Sequence, residues 1–223
     1  MADLDSDRIV RAALRIADRE GPDGVTMRAV ADELGVTPTA LYRHVEDKRA
    51  LVSLMVDAVV AEHTLPTPTG EWREDLWLMA RTMREMTHAH PAVTDLRRGH
   101  QIWSPTVLPL TERWMSIWAQ SGLPLEQAVR AGVTTSLAIV GLVEEELLLR
   151  RMQAPAEGAL TWVPNARLAF GLERDRDADF ELTVRALIDG VHAREGSPLL
   201  AATERRPDGF DDDGFAHDDS FGI

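Results

Sequence analysis

Cysteine is absent from the 223 residues of this chain. Disulfide bridges and thiolate zinc sites are therefore excluded, and we expect a reducing, cytoplasmic location. The opening residues are acidic, and Arg11 and Arg15 interrupt the apolar positions that follow, so a secretory signal is not expected. The longest uncharged apolar-rich run, 131–143, is too short to cross a bilayer and is followed by three glutamates, so we expect no membrane partner.

Sequence motifs of catalysis are also missing. The chain has no glycine-rich phosphate loop, no Gly-x-Ser-x-Gly and no His-Glu-x-x-His, and it lacks a thiol nucleophile. An enzyme needs a nucleophile, a base and an orienting group that converge, so we expect neither catalysis nor a cofactor. His88, His90 and His100 could bind a metal together with 144–146, but they match no metal-binding motif, and no metal site is predicted.

Lysine and tyrosine each occur once. Of 24 basic residues only Lys48 is a lysine, and Tyr42 is the only tyrosine. Both fall in the stretch TPTALYRHVEDKRAL, which begins at Thr37 and has residue types suited to contact DNA. The formal charge of −13 argues against a general DNA-packing protein, which relies on a basic field. It does not argue against a protein that contacts DNA through one small face.

Apolar residues recur at helical spacing along almost the whole chain, and no strand pattern or internal repeat is visible. An all-α protein is therefore predicted. Residues that can cap helix N-termini precede the first four helices, and these are Asp5 or Ser6, Thr26, Thr37 and Asp47. Pro38 stands at the first helical position of the third helix, which is predicted to end near His44.

The second and third helices, joined by a tight turn at Gly35-Val36, are predicted to form a helix-turn-helix. We assign 1–48 to a DNA-binding domain and 49–63 to a connecting helix. The proline-rich stretch 64–70 marks a boundary, and 71–194 forms a larger helical domain for ligand binding and dimerisation. Eight acidic residues minus two basic ones give 195–223 a charge of −6, a composition typical of a disordered tail.

The third helix is predicted to enter the major groove, where its first residues face base edges and phosphates. Lys48 opens the next helix, where a cation is unfavourable unless a phosphate lies nearby, so we interpret it as a phosphate anchor. The bases minus the acids of 1–48 give a charge of 7 − 10 = −3, so the cations must gather on one face. The candidate DNA-binding residues are Thr26, Arg28, Thr37, Pro38, Thr39, Tyr42, Arg43, His44 and Lys48.

Six tryptophans, all beyond the proline-rich stretch, suggest a site for a flat aromatic ligand in the larger domain. Trp114 and Trp118 are four residues apart and share a helix face, although ordinary core packing remains the alternative for each. Polar residues of the same domain, which are included in the set below, could orient such a ligand. The candidate ligand-binding residues are His100, Gln101, Trp103, Trp114, Trp118, Thr134, Thr135 and Glu145.

Two helices of the larger domain are predicted to form a homodimer interface. The helix that opens at Pro124 and runs to about Arg151 is apolar nearly all round over 131–143. The last helix, about 178–194, carries one apolar stripe, which consists of Phe180, Val184, Leu187, Ile188 and Val191. Pairing both helices with their mates gives a four-helix interface. The alternative is that both fill the core of the subunit.

The first quarter of the chain resembles the tetracycline-repressor (TetR) family of transcriptional regulators. The residues that carry the resemblance are Ala12, Gly21, Val25-Thr26-Met27-Arg28-Ala29-Val30-Ala31, Leu34-Gly35-Val36, Leu41-Tyr42-Arg43-His44-Val45, Lys48, Leu51 and Val52. The resemblance implies an all-helical homodimer that binds a palindromic double-stranded operator and is released by a small-molecule effector. It also implies the DNA contacts given above, with Arg43 less firmly placed than the others.

Two alternatives stay open within this resemblance. Tetracycline repressors bind a magnesium–drug chelate through a histidine and a glutamate, and His100 and Glu145 could be the analogues. The DNA-binding regulator could instead lack a small-molecule ligand and be switched by a protein partner.

Overall fold

The computed structural model describes residues 4–102, 104–151 and 175–197, and all regular elements within these ranges are helical. The helices are α1 Ser6–Glu20, α2 Met27–Leu34, α3 Pro38–Leu41, α4 Lys48–Ala61, α5 Trp72–Ala89, α6 Pro91–Gly99, α7 Leu108–Ala119, α8 Leu125–Arg151 and α9 Arg176–Glu195. Short 3-10 turns lie at Pro22–Gly24 and Pro105–Val107. The all-α prediction is confirmed.

Helix capping explains where the first four helices begin. The side chains of Asp5, Thr26, Thr37 and Asp47 each accept a hydrogen bond from the backbone N–H three residues later, at 2.7, 3.0, 3.2 and 2.7 Å. The four predicted caps are therefore confirmed, with Asp5 rather than Ser6 at the first. The α3 helix differs from its prediction because it ends at Leu41, and the residues from Tyr42 to His44 form a turn.

The N-terminal module, α1 to α4, is built around one apolar core. Ile9, Ile16, Leu41 and Met55 are among its fully buried side chains. Helix α6 lies later in the chain but packs into the same core, to which it and the segment after it contribute Ala92, Val93, Leu96 and Ile102. The module is thus fixed to α6 by shared burial, which stabilises by about 25 cal/mol per Å² of apolar surface.

The C-terminal domain, α5 and α7 to α9, has a second core with Leu76, Trp118 and Ile139 at its centre. The stripe of α9 that was predicted to face a dimer partner lies inside this core. Phe180, Val184 and Ile188 are at most 2% exposed. These three residues therefore pack on α5 and α8 of the same subunit, as in the alternative given above, and the pairing of α8 and α9 with their mates stays a prediction.

One charged side chain joins three helices of this domain. Arg84 of α5 donates from Nε and Nη2 to the two carboxylate oxygens of Glu146 on α8, at 2.7 and 3.1 Å. Its Nη1 donates to Asp177 of α9 at 2.7 Å, and its guanidinium lies 4.6 Å from the centre of the Phe180 ring. A buried arginine needs such bidentate partners to offset its desolvation.

The segment between α4 and α5 is fixed by a buried carboxylate. Asp75 accepts hydrogen bonds from the backbone N–H of Thr69 at 2.7 Å and from its hydroxyl at 2.8 Å. Burial alone raises the pKa of Asp75, but the bonds from Thr69, the Gly70 backbone and the charge of Arg113 outweigh it, and the net shift is downward.

Replacement of Asp75 by asparagine is expected to lower the unfolding free energy by about 1–2 kcal/mol at pH 7, because a charge-assisted acceptor is lost. A lowered folded-state pKa contributes stability above the unfolded pKa of about 3.9 and loses it as the pH falls through the folded value. The difference between wild type and Asp75→Asn should therefore shrink below about pH 4. Urea unfolding at pH 7 and pH 3 measures it; an equal difference at both would contradict the assignment.

Candidate nucleic-acid interface and effector region

The turn between α2 and α3 aims the segment after α3 outward. Gly35 ends α2 in the left-handed conformation at φ +67°, where a side chain would be strained, and the Val36 N–H bonds to the Ala31 carbonyl at 3.0 Å. Leu41 is fully buried and Val45 is 2% exposed, so they occupy the inward side. Tyr42 is consequently 51% exposed, which is unusual for an aromatic side chain without a partner.

The predicted DNA-binding residues are almost all at the surface. Lys48, the first residue of α4, is half-buried. Arg28 has a side chain that is 89% exposed, with its Nε 3.9 Å from an Asp32 oxygen. The others are also exposed, and these are Thr26, Thr37, Pro38, Thr39, Tyr42, Arg43 and His44. Their roles in DNA binding stay predictions.

The cations of the N-terminal module divide into paired and available ones. Arg15 and Arg19 of α1 both bind Glu33, at 3.3 Å each, and their hydrogen bonds, Arg15 first, lower the pKa of that carboxyl. Within the described ranges, Arg43 and Lys48 make no ion pair. A phosphate can therefore engage either of these two cations without displacing a carboxylate.

Three predicted ligand-binding residues come together between α7 and α8, but their polar atoms are already satisfied. The indole N–H of Trp114 donates to the Gly132 carbonyl at 2.9 Å, and that of Trp118 donates to the Thr135 hydroxyl at 3.1 Å. A side chain at Gly132 would place its Cβ 2.6 Å from the Met115 sulfur, so the helices approach closely there. These tryptophans hold α7 on α8.

The other predicted ligand-binding residues lie apart from this group. Thr134 and Glu145 are exposed on α8, and Trp103 falls outside the described residues. His100 and Gln101 follow α6, and Gln101 has a φ of +51°, the only positive φ of a non-glycine residue in the described ranges. Backbone in such a conformation is concentrated at binding and switch sites.

Contacts between α4 and residues 100–101 and 104–106 were missed by sequence reasoning. Arg49 donates to the carbonyls of His100 and Gln101 at 3.1 and 3.4 Å. Two turns further along α4, Asp57 accepts hydrogen bonds from the hydroxyls of Ser104 and Thr106, the latter at 2.6 Å. The only available signal was an acidic residue within an otherwise apolar stretch of α4, since nothing in the sequence indicates which segment lies opposite.

Two family models match this chain and together cover most of its length. Residues 9–55 match the model of bacterial regulatory proteins of the tetR family, and residues 65–195 match the tetracyclin repressor-like C-terminal domain. The chain belongs to the tetR family of transcriptional regulators. The resemblance seen in its first quarter therefore extends through both parts of this tetR-family regulator.

Several relatives of this regulator are characterised. The class A tetracycline repressor from transposon 1721 of Escherichia coli is 30% identical over 203 residues, which are 87% of this chain and 93% of the repressor. ActR of Streptomyces coelicolor in complex with actinorhodin is 32% identical with a TM-score of 0.69, covering 89% of this chain and all of that one. A TetR variant from Acinetobacter baumannii AYE in complex with minocycline is 27% identical with a TM-score of 0.65, covering 87% and 100%.

In the described part of the regulator, no three histidine or acidic side chains are grouped so that they could bind one metal ion. The described helices include none that is both long and apolar enough to cross a membrane.

Proposed function

We propose that this chain is a ligand-responsive transcriptional repressor that binds a palindromic operator as a homodimer and is released by a small molecule. The observation that carries the proposal is the exposure of Tyr42 at the end of a helix-turn-helix whose inward side is closed by Leu41. Arg43 and Lys48 follow it in the chain and make no ion pair within the described ranges. An exposed aromatic ring next to available cations suits a thymine methyl and its flanking phosphates.

An exposed apolar stripe on α8 supports the dimer. Leu125, Val129, Val133 and Leu137 recur every fourth residue and are 73%, 47%, 44% and 68% exposed. Leu182 of α9, which is 70% exposed, lies on the outward side of its helix. Such a row costs free energy in water and is self-complementary when a second copy meets it about a two-fold axis.

The segment after α6 is the proposed point of control. An effector bound against His100 or Gln101 would act on carbonyls that accept hydrogen bonds from Arg49, and so on α4 directly. Rotation of α4 moves Lys48 and the turn at Tyr42 together. Operator affinity then falls by the difference in effector affinity between the two arrangements. The complexes of ActR with actinorhodin and of TetR with minocycline support a small-molecule effector.

Footprinting of the purified protein on the DNA upstream of its own gene tests the proposal. A protected palindrome is expected, and a panel of aromatic natural products in a thermal-shift assay should include a compound that stabilises the protein and removes the footprint. A footprint that no compound in the panel removes would favour a regulator switched by a protein partner. No protected duplex at low ionic strength would contradict operator binding altogether.

The predicted phosphate anchor has its own test. Substitution of Lys48 by glutamine should weaken operator binding by a similar factor on cognate and mismatched duplexes. The slope of log affinity against log salt should become shallower by about 0.9 per contact, or about two per dimer. Filter binding between about 50 and 200 mM salt measures the slope. Arg81→Gln, an exposed cation on α5, is the matched control, and an unchanged slope for Lys48→Gln would reject the anchor.

A further inference from the structure

His90 lies between α5 and α6 and contacts two carboxylates of the N-terminal module. Its Nδ1 is 3.2 Å from an Asp18 oxygen on α1, and its Nε2 is 3.1 Å from an oxygen of Glu62, the C-cap residue of α4. The imidazole is only 15% exposed, whereas the two carboxylate side chains are 49% and 52% exposed. The ring thus connects the start of α6 to α1 and to the C-terminal end of α4.

We propose that His90 is a positioning residue for operator binding, and that the proton on its ring sets how firmly the module is held. A neutral imidazole has one N–H and can donate to only one of the two carboxylates, whereas an imidazolium donates to both. The bridge is therefore complete only in the protonated form. This inference rests on the proposed operator binding, because the module orientation it controls is the one that presents Tyr42.

The bridge can affect the orientation of the DNA-binding end of the module because it lies at the opposite end of α4. Glu62 and Lys48 lie at opposite ends of α4, whose 14 residues span about 21 Å at 1.5 Å per residue. Asp18 lies near the C-terminal end of α1, the first helix of the module. A bond to each adds two directional contacts to the non-directional apolar packing of α6 on the module. Loss of one bond should broaden the range of module orientations.

Two carboxylates lie within hydrogen-bonding distance of the ring. Asp18 faces it from α1 and Glu62 from the end of α4. His88, two residues earlier on α5, is directed elsewhere, with its Nε2 3.4 Å from Glu146 on α8. Burial and then the charge of Arg150 lower the pKa of His88, which favours the neutral form of that ring. Histidine is the side chain suited to a response between about pH 5 and 8.

Operator affinity as a function of pH tests the inference on the full-length protein, with the duplex protected in footprinting as the probe. At constant ionic strength, the wild type should gain about fivefold more affinity between pH 8 and pH 6 than His90→Gln does, since each partly exposed pair contributes modestly. Glu62→Gln should lose part of that gain. His44, which is exposed beside Tyr42, is present in both proteins, so its contribution cancels in the comparison.

His88→Gln is the matched control, and it should keep the wild-type pH dependence. Identical pH profiles for wild type and His90→Gln would overturn the inference. A gain of opposite sign would also overturn it, because the protonated bridge would then favour the released arrangement.

A measurement without DNA separates this inference from the proposed function. Because the chain has no cysteine, Arg11→Cys on α1 and Glu85→Cys on α5, both exposed, accept spin labels at unique sites. Labelled protomers are diluted into unlabelled protein so that distances within one protomer dominate. The distance distribution should be narrower at pH 6 than at pH 8 in the wild type and independent of pH in His90→Gln. Equal widths at both pH values in the wild type would reject the bridge, whether or not any duplex binds.

Discussion

Replacement of Leu137 by glutamate is expected to convert the protein to a monomer and to reduce operator affinity by at least about 100-fold. A two-fold interface contains the substituted residue once from each protomer. Two carboxylates would therefore face each other or lie unpaired in an apolar contact, at a cost of several kcal/mol. The protomer itself should remain folded, because the Leu137 side chain is 68% exposed before any partner covers it.

Sedimentation measures the oligomeric state of this variant and thermal unfolding its fold. Leu108→Glu on α7 provides the control, since Leu108 is also exposed, at 45%, but lies outside the α8 stripe. It should remain a dimer with wild-type operator affinity. A Leu137→Glu protein that stays dimeric would exclude the α8 stripe from the interface, and one that fails to fold would show that Leu137 is needed within the protomer.

Tyr42→Ala is expected to weaken operator binding by about 100-fold while dimerisation and effector binding persist. The ring is 51% exposed and contributes little to the subunit core, so its loss should lower operator affinity rather than the stability of the fold. Each half-site loses one base or backbone contact worth about 1–3 kcal/mol, so the dimer loses two such contacts in total.

Tyr42→Phe separates the contributions of ring and hydroxyl, because it keeps any thymine methyl contact and removes only the hydrogen-bonding group. Fluorescence anisotropy with a labelled operator duplex measures affinity for both variants, and sedimentation measures dimerisation. If Tyr42→Ala loses operator binding, dimerisation and thermal stability together, the tyrosine is a structural residue and its placement at the DNA interface is wrong.

Local chemistry made much of the N-terminal module predictable. Thr37 and Asp47 indicate helix starts because their side-chain oxygens accept hydrogen bonds from the backbone N–H three residues later. Gly35 indicates a turn because a side chain is disfavoured at its φ of +67°. These interactions span at most a few residues, so sequence spacing contains them. The family resemblance, which rests on the same residues, extended the prediction to the whole fold and was confirmed.

Contacts between distant segments were less predictable. The stripe that holds Phe180 and Val184 was assigned to a dimer partner, although α5 and α8 bury it within the subunit. Trp114 and Trp118 were predicted to line a ligand site, yet their N–H groups are already bonded to α8. Periodicity identifies an apolar face, but any apolar surface of suitable shape can cover it.

The sequence by itself determined the helices, their caps, the helix-turn-helix and the outward direction of Tyr42, because each depends on backbone and side-chain chemistry within a turn or two. Only the tertiary structure decided that α6 packs into the core of the N-terminal module, that Arg49 and Asp57 bond to residues that follow α6, and that His90 reaches Asp18 across 72 residues of chain. Hydrophobic burial is non-directional, so the pairing of faces is settled only when all helices pack together.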